Sequence, residues 1–432
     1  GMCERARVIL GDTTRRRRIL VHCHMGVNRG PSALFAIMLA MGWESLDALR
    51  AIRDARPISG IIYAPDAINW WAREQNHESG VVAEMVGAKY AVAVSSATAG
   101  LHIAMIALNL PNNSKVITSP ISFVASANSI IYAGHQPVFV DIDRDSVNLD
   151  LDLVKQKINT DSSVHVVVPV HFAGLPCDMK KLKEITQSKN LKIIEDAAHA
   201  LGAHYETGEK VGSCAYSDMT VFSFHPVKSI TTGEGGMVTT NDYSLYKKLM
   251  RLRSHGINKL DDDFQNSILS RTSGVTNPWY YEMIDLGFNF RLTEIQAVLG
   301  ISQLKRLETF LSKRAKLVES YKMLLEFKSQ IAPAQVCAIS GSSNHIFPIR
   351  IKFSSETKSR NQIMLNLKQH GIGSQVHYIP IPVQPYYSEL GYSIADIPEA
   401  FSYYEEALTI PLFPSLKKRQ QKRIINILEK LI

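Results

Sequence analysis

The chain has 432 residues, of which 45% are hydrophobic and 20% charged, and its formal net charge is +8. This is the composition of a globular protein with enough apolar material for a large core. No apolar run reaches the roughly 18 residues that span a bilayer, so no membrane segment is predicted. The basic residues are dispersed and not interleaved with aromatics, which disfavours a nucleic-acid surface.

Five cysteines are spread along the sequence at Cys3, Cys23, Cys177, Cys214 and Cys337. Their spacing contains neither a paired pattern nor the quartet that a metal would require. An odd, scattered set is typical of reduced thiols, so we expect a cytoplasmic protein without a metal site.

The first segment places a cysteine and an arginine in one loop. In Ile19-Leu-Val-His-Cys23-His-Met-Gly-Val-Asn-Arg29, a strand-like run delivers Cys23 into a loop whose amides, with Arg29, can stabilise a thiolate and bind phosphate. The segment resembles the Cys-x5-Arg loop of dual-specificity phosphatases. Residues 1–75 would then be a truncated domain of that type, because little chain precedes Cys23. Lysine is absent before Lys89, which indicates that two segments are joined near residues 75–79.

Beyond the join, short apolar runs alternate with longer helix-compatible stretches. The predicted strands are Tyr90–Ser95, Lys115–Thr118, Pro137–Asp141, Val164–His171, Lys192–Glu195, Met219–Phe224 and Gly236–Thr239. This alternation predicts an α/β domain over residues 76–293, with a mostly parallel sheet covered on both faces. Residues 294–432 are predicted to form a smaller α+β domain. It would contain a long helix over Glu294–Leu325, a strand over Ile346–Ile351 and a last helix within Leu416–Ile432.

Two polar residues lie at matching ends of predicted strands. Asp196 ends one strand-like run, and Lys228 follows the next, just before the glycine-rich Thr232–Gly236. A lysine amine can hold the aldehyde of pyridoxal phosphate as a Schiff base, while a carboxylate facing the pyridine nitrogen keeps that nitrogen protonated. Taken singly, a solvated loop lysine and a helix N-cap aspartate are the plain structural alternatives. The pairing favours pyridoxal phosphate chemistry.

Three further positions could serve the same cofactor. Ser95–Gly100 places small residues at a strand-to-helix junction, where free amides and the Thr98 hydroxyl can bind a phosphate. Phe123 can stack on a cofactor ring, although a lone aromatic also fits a core. His199 can likewise be a structural histidine.

Several segments, in order along the chain, carry a family resemblance: Gly87–Ser95, Glu195–His199, Ser223–Lys228 and Gly287–Gln296. They resemble the DegT/StrS family of pyridoxal-phosphate-dependent sugar aminotransferases over about Val81 to Ile432. The resemblance implies the α/β architecture of PLP fold type I. Within the family, Pro278–Met283 and Val376–Pro380 resemble the enzyme of the pseudaminic acid pathway. This implies transfer of an amino group from L-glutamate to the 4-keto carbon of a UDP-linked 6-deoxy-N-acetyl sugar.

The resemblance also implies roles for individual residues. Lys228 would carry the cofactor and move the substrate proton, Asp196 would pair with the pyridine nitrogen, and His199 would lie beside the ring. The remaining cofactor contacts would come from Thr98, Ala99, Phe123 and Ser223. Asn289 would reach the phosphate of the neighbouring subunit, which implies a homodimer with a shared active site. Relatives that dehydrate their substrate have histidine at the lysine position, so Lys228 favours transamination.

The sequence departs from the family pattern in three places. Ala97 stands where glycine is usual, which predicts modestly weaker cofactor binding, and Pro382 stands where the nearest relatives carry histidine. The Leu-Thr-x-Gly-Pro-like turn of the family's N-terminal arm has no counterpart. Two alternatives therefore stay open: a phosphatase acting through Cys23 and Arg29, and a fusion that binds the cofactor but is inactive without the arm.

Overall fold

A seven-stranded sheet organises the larger part of the computed structural model, which describes residues 80–259, 264–336, 341–353 and 358–432. Its strands are β1 Tyr90–Val94, β2 Lys115–Thr118, β3 Gln136–Phe139, β4 Val164–Val168, β5 Lys192–Asp196, β6 Met219–Ser223 and β7 Gly236–Thr240. They lie in the order β1-β7-β6-β5-β4-β2-β3. All seven predicted strands are present, with bounds that differ by a few residues at most.

The sheet is parallel except for one strand. Strands β2 to β6 pair in parallel, whereas β7 runs antiparallel to both β6 and β1. The reason lies in the connections, because residues 224–235 link β6 to β7 without a crossover helix. This linking loop contains Lys228 and is closed at its base, where Phe224 N–H donates to Gly235 O over 2.9 Å and Thr232 N–H to Phe224 O over 3.0 Å. The predicted α/β fold is confirmed, and the reversed strand is an addition to it.

Helices cover both faces of this sheet. They are α1 Val81–Val86, α2 Ala97–Ala107, α3 Ala125–Tyr132, α4 Leu151–Thr160, α5 Met179–Gln187 and α6 Tyr243–Leu252. Successive strand residues point into opposite cores: Ile193 and Phe222 belong to one apolar cluster, and Ile194 and Val221 to the other. Burial on both faces explains why the strands are near-continuous apolar runs rather than alternating ones.

Small elements follow, at the rim of this domain. They are β8 Ile257–Asn258, α7 Ser267–Ser270, β9 Arg271–Thr272, β10 Val275–Thr276 and β11 Glu282–Met283. Strand β8 pairs with β11 and β9 with β10, both antiparallel.

The last part of the chain contains a second, smaller sheet with its own core. Its strands β12 Ile331–Pro333, β13 Phe347–Ile351 and β14 Ala407–Ile410 are antiparallel. The helices of this part are α8 Glu294–Leu304, α9 Leu307–Leu325, α10 Arg360–Gln369, α11 Pro385–Glu389, α12 Pro398–Glu406 and α13 Lys418–Leu431.

The single long helix predicted over Glu294–Leu325 is wrong, because α8 and α9 are separated at Lys305 and Arg306. Neither residue is a helix breaker; the break comes from packing. Leu307 is buried in a core of the large sheet, and Tyr321 in the core of the small one. The turn redirects the chain so that α9 can contact both cores.

Several predictions fall outside the described residues. The phosphatase-like segment 1–75, with Cys23 and Arg29, is among them.

Within the part of the chain that the structure describes, no helix has the length and apolar character needed to cross a bilayer.

Candidate active site

One edge of the large sheet gathers the ends of β5, β6 and β1, with the start of β7 between the last two. Asp196 ends β5, Ser223 ends β6 and Val94 ends β1, while Gly236 begins β7 opposite both Ser223 and Val94. In open α/β sheets this is the edge where ligands bind. A cavity of 310 Å³ opens there. It is lined by Ser96, Ala97, Thr98, Leu101, Ser122, Phe123, Ala125, Val170, Asp196, Ala198, His199, Ser223, His225, Val227, Lys228, Glu234 and Tyr378.

Asp196 lies on the floor of the cavity and is only 5% exposed. Its Oδ2 accepts a hydrogen bond from Ser126 Oγ over 2.6 Å, and its Oδ1 accepts one from Ala198 N–H over 3.1 Å. These two donors fix the carboxyl plane. A buried carboxylate with a fixed orientation suits a cationic partner in the cavity. Ser126 was missed by the sequence reasoning, although it ends the Pro120–Ser126 segment that contains Phe123.

Lys228 extends from the loop between β6 and β7 into the same cavity. Burial lowers the pKa of its amine from 10.5 to about 8, although the negative charge of Asp196 acts in the opposite direction. The neutral form of the amine is therefore far more populated near neutral pH than it is in an ordinary lysine. A neutral amine can act as a nucleophile and as a base, which a solvated lysine rarely does.

The N-terminus of α2 forms another wall of the cavity. Ser96 caps this helix by accepting a hydrogen bond from Ala99 N–H over 3.1 Å, so the helix starts at Ala97. The first amides of a helix have no partner within it and carry positive partial charge, which favours an anion beside Ala97 and Thr98. Close packing holds this turn against β7, because a Cβ on Gly236 would lie 2.7 Å from Ala97 N. Ser223 adds a hydroxyl on the same side of the cavity.

Aromatic rings complete the cavity. Phe123 is 60% exposed, so the core alternative for this residue is wrong. His199 is buried, and its Nε2 is 3.1 Å from the Tyr378 hydroxyl. Burial, followed by the charge of Lys228, lowers the pKa of His199 well below 6.5, so its imidazole is neutral at neutral pH. Tyr378 was missed as a site residue, although it lies in the Val376–Pro380 segment on which the family resemblance partly rests.

Two of the predicted cofactor contacts do not line this cavity. Ala99 is buried behind the first turn of α2, and only its backbone N–H takes part, in the cap to Ser96. Asn289 is exposed, outside the cavity wall, and it bridges to Ser254 through its backbone.

The arrangement can be compared with known proteins. Residues 69–429 match the DegT/DnrJ/EryC1/StrS aminotransferase family. The chain belongs to this family.

Relatives and solved structures agree with that assignment. The spore coat polysaccharide biosynthesis protein SpsC of Bacillus subtilis is 35% identical over 352 residues, which are 81% of this chain and 87% of that protein. Helicobacter pylori PseC, an aminotransferase involved in the biosynthesis of pseudoaminic acid, is 31% identical with a TM-score of 0.72, covering 81% of this chain and 89% of its own. The PLP form of Spr1654 from Streptococcus pneumoniae, described as a putative sugar aminotransferase, is 30% identical with a TM-score of 0.71. The match covers 81% of this chain and 90% of Spr1654.

This aminotransferase therefore uses pyridoxal phosphate, has fold type I and acts on a sugar. The cavity fits such a cofactor. Amide and hydroxyl donors lie on the α2 side for the phosphate, Asp196 is available for the ring nitrogen, and Lys228 for the aldehyde. His199 Nδ1 is buried and has no hydrogen-bond partner among the described residues, as expected for a group that meets a ligand here.

The pKa of Lys228 predicts how cofactor uptake depends on pH. Only the neutral amine can attack the cofactor aldehyde, and burial lowers its pKa to about 8. We expect the rate at which cofactor-free aminotransferase takes up pyridoxal phosphate to rise with pH and to reach half of its plateau near pH 8. Stopped-flow absorbance measures this rate. A midpoint close to the ordinary lysine value of 10.5 would contradict a buried, neutralised amine.

Proposed function

We propose that this aminotransferase moves the amino group of L-glutamate to the 4-keto carbon of a UDP-linked 6-deoxy-N-acetyl sugar. The observation that carries the proposal is the presence of Lys228 and Asp196 on the walls of one cavity, with the N-terminus of α2 beside them. The similarity to PseC, which is named for pseudoaminic acid biosynthesis, and to SpsC, which is named for polysaccharide biosynthesis, supports the sugar substrate.

Lys228 would be the group that moves the proton. Its Nζ, whose pKa burial lowers to about 8, can in its neutral form take a proton from the α-carbon of the donor and return one to the product. One lysine can serve both half-reactions, since the second is the reverse of the first on another substrate. When bound, pyridoxal phosphate supplies an electron sink and stores the amino group between the two halves.

Asp196 would hold the ring nitrogen in its protonated form. The hydrogen bonds from Ser126 and Ala198 leave its carboxyl group little freedom to rotate. Thr98, Ser223 and the first amides of α2 would bind the phosphate, and Ala99 would contribute through its backbone only. The exposed face of Phe123 would stack on the ring, and His199 would lie beside it.

Exposed side chains around Asn289 support a shared site in a homodimer. Asn289 is exposed, and so are several large apolar side chains in the neighbouring sequence: Trp279, Tyr281, Met283, Leu286 and Ile295 are each more than half exposed. Exposed apolar side chains of this number mark an interaction surface. We propose that a second copy covers this surface and that Asn289 of each copy reaches the cofactor phosphate of the other. The cytoplasmic location stays a prediction from the unpaired cysteines.

The proposal can be tested with defined substrates. Purified holoenzyme is incubated with L-glutamate and a UDP-linked 4-keto-6-deoxy-N-acetyl sugar, and 2-oxoglutarate and the amino sugar are measured by mass spectrometry. We expect stoichiometric formation of both products. Bleaching of the cofactor band by glutamate, without amination of any 4-keto sugar nucleotide, would overturn the substrate assignment. Absence of bleaching would favour the inactive-fusion alternative.

The hydrogen bond between His199 and Tyr378 predicts a smaller effect. Tyr378→Phe keeps the ring but removes the hydroxyl that lies 3.1 Å from His199 Nε2. A neutral hydrogen bond contributes about 1 kcal/mol, so we expect kcat to fall about 5-fold with unchanged folding. Tyr386→Phe, on an exposed ring nearby, is the matched control. Equal kcat values for the two variants would show that the hydroxyl does not position His199.

A further inference from the structure

A second cleft adjoins the cofactor cavity behind the lysine loop. It has a volume of 550 Å³, and Val227 and Lys228 line both spaces. The other walls come from α8, α9 and the segments next to β13 and β14. They are formed by Pro226, Ser229, Thr231, Gln303, Arg306, Phe310, Lys313, Arg314, His345, Ile346, Leu412, Phe413, Pro414 and Ser415. Lys228 therefore separates the cofactor cavity from a larger space that opens to solvent.

The charge of this cleft is of one sign. Arg306, Lys313 and Arg314 line it together with Lys228, and no aspartate or glutamate of the described part of the chain does. The Arg306 guanidinium lies over the Phe310 ring, 5.0 Å from its centroid, which holds this cation at the wall. A concave surface with several cations and no carboxylate attracts an anionic ligand.

Arg314 is the deepest of these cations and is only 5% exposed. Its Nη1 donates to the carbonyl oxygens of His345 over 2.8 Å and Leu412 over 3.0 Å, which fixes the guanidinium plane. Its Nε is buried and has no hydrogen-bond partner among the described residues. Burial lowers the pKa of Arg314 to about 10, the signature of a cation without a counter-charge.

Free N–H groups on a fixed, buried guanidinium have a well-defined complement. A carboxylate accepts two parallel hydrogen bonds from the edge of an arginine, and the pairing compensates the cost of burying the charge. The two other cations lie at the exposed rim, on the first turns of α9 and just before it. One deep cation and two rim cations fit a ligand with an anionic group at each end.

We propose that this cleft is the subsite for the amino donor, with one carboxylate of a dicarboxylic amino acid on Arg314 and the other at Arg306 and Lys313. The inference rests on the proposed function for the presence of a glutamate-like donor. The donor's aliphatic carbons would pack against Leu412 and Phe413, and its amino end would lie next to Lys228. The sugar nucleotide would then enter the cofactor cavity from the side of Phe123 and Tyr378.

Binding of glutarate, an unreactive dicarboxylate, to the holoenzyme tests the proposal by calorimetry. We expect the Arg306→Gln/Lys313→Gln double variant to bind glutarate about 10-fold more weakly, because it loses charge-assisted contacts to one carboxylate. Butyrate, which has a single carboxylate, should lose less than about 3-fold in the same variant. Lys316→Gln, an exposed position on α9 outside the cleft, is the matched control and should change neither value.

Arg314→Lys keeps the charge but removes the forked edge, and it should weaken both glutarate and butyrate. Because Arg314 also donates to three backbone carbonyls, those of Asn344, His345 and Leu412, the thermal unfolding of this variant is measured alongside. The Arg306→Gln/Lys313→Gln variant changes only side chains at the exposed rim and keeps the test decisive. Unchanged glutarate affinity in the rim variant would overturn the proposal. The proposal would also be overturned if the Arg306→Gln/Lys313→Gln variant bound inorganic pyrophosphate more weakly but glutarate as tightly as before. The cleft would then serve the phosphates of the nucleotide. Glutarate does not react, so a holoenzyme that binds it here but aminates no sugar would contradict the proposed function alone.

Discussion

Replacing Lys228 by alanine is expected to lower the rate of amino transfer by at least about 10³-fold, which is the upper part of the range for loss of a general base. Among the residues that the structure describes, the amine is the only basic side chain that lines both the cofactor cavity and the adjoining cleft. Its buried position lowers its pKa to about 8, so the wild-type chain holds a usable fraction of neutral amine. The variant has neither the nucleophile that attaches the cofactor nor the base that moves the proton.

Two measurements separate the chemical role of Lys228 from a structural one. The absorbance band of the attached cofactor should disappear in Lys228→Ala, while Lys189→Ala, an exposed lysine on the same domain, should retain it. A small primary amine added to Lys228→Ala should restore part of the proton-transfer rate, because it can enter the space that the side chain leaves. Wild-type turnover in the variant would refute the central role of this lysine.

Glu195→Ala is expected to be the most destabilising single substitution near the site. Glu195 is fully buried, and its carboxylate accepts hydrogen bonds from His171 Nε2 over 2.7 Å, Tyr205 Oη over 2.6 Å, Thr220 Oγ1 over 2.8 Å and the Ser217 hydroxyl. Burial alone would raise its pKa, but these donors lower it, so the carboxylate stays ionised. Removing it takes the carboxylate acceptor from four donors, among them the buried His171 and Tyr205, at a cost of about 3 kcal/mol or more in the free energy of unfolding.

Urea denaturation of the cofactor-free protein measures this loss. Glu195→Gln keeps one acceptor oxygen, but its amide N–H₂ is a donor placed among other donors. Its free energy of unfolding should therefore lie between those of wild type and Glu195→Ala. Glu184→Gln, at an exposed position on α5, should change the free energy of unfolding by less than about 0.5 kcal/mol. Equal midpoints for Glu195→Ala and wild type would mean that water replaces the carboxylate without cost.

Much of this site could be predicted because its residues lie at strand ends. The apolar run that ends at Asp196 is buried on both faces, so the strand and its carboxyl end were recognisable from the sequence. Lys228 follows the next strand, and neighbouring parallel strands bring such positions together.

The missed partners depend on contacts between distant parts of the chain. Tyr378 meets His199 across 179 residues, and Ser126 meets Asp196 across 70. Local periodicity contains no information on such pairs. The antiparallel course of β7 was missed for a related reason, because strand direction follows from the path of the connection rather than from strand composition.

That antiparallel course has a mechanical consequence for the lysine. Ser223 and Gly236 pair directly across β6 and β7, so both ends of the loop that bears Lys228 are tied to the sheet. When the cofactor is bound, the amine would have to detach from it and reattach in each cycle. With the main chain held at both ends of the loop, this movement would be a rotation about side-chain bonds rather than a movement of the backbone. The tether also keeps the local concentration of the amine high, so the enzyme regains its resting form by an intramolecular step.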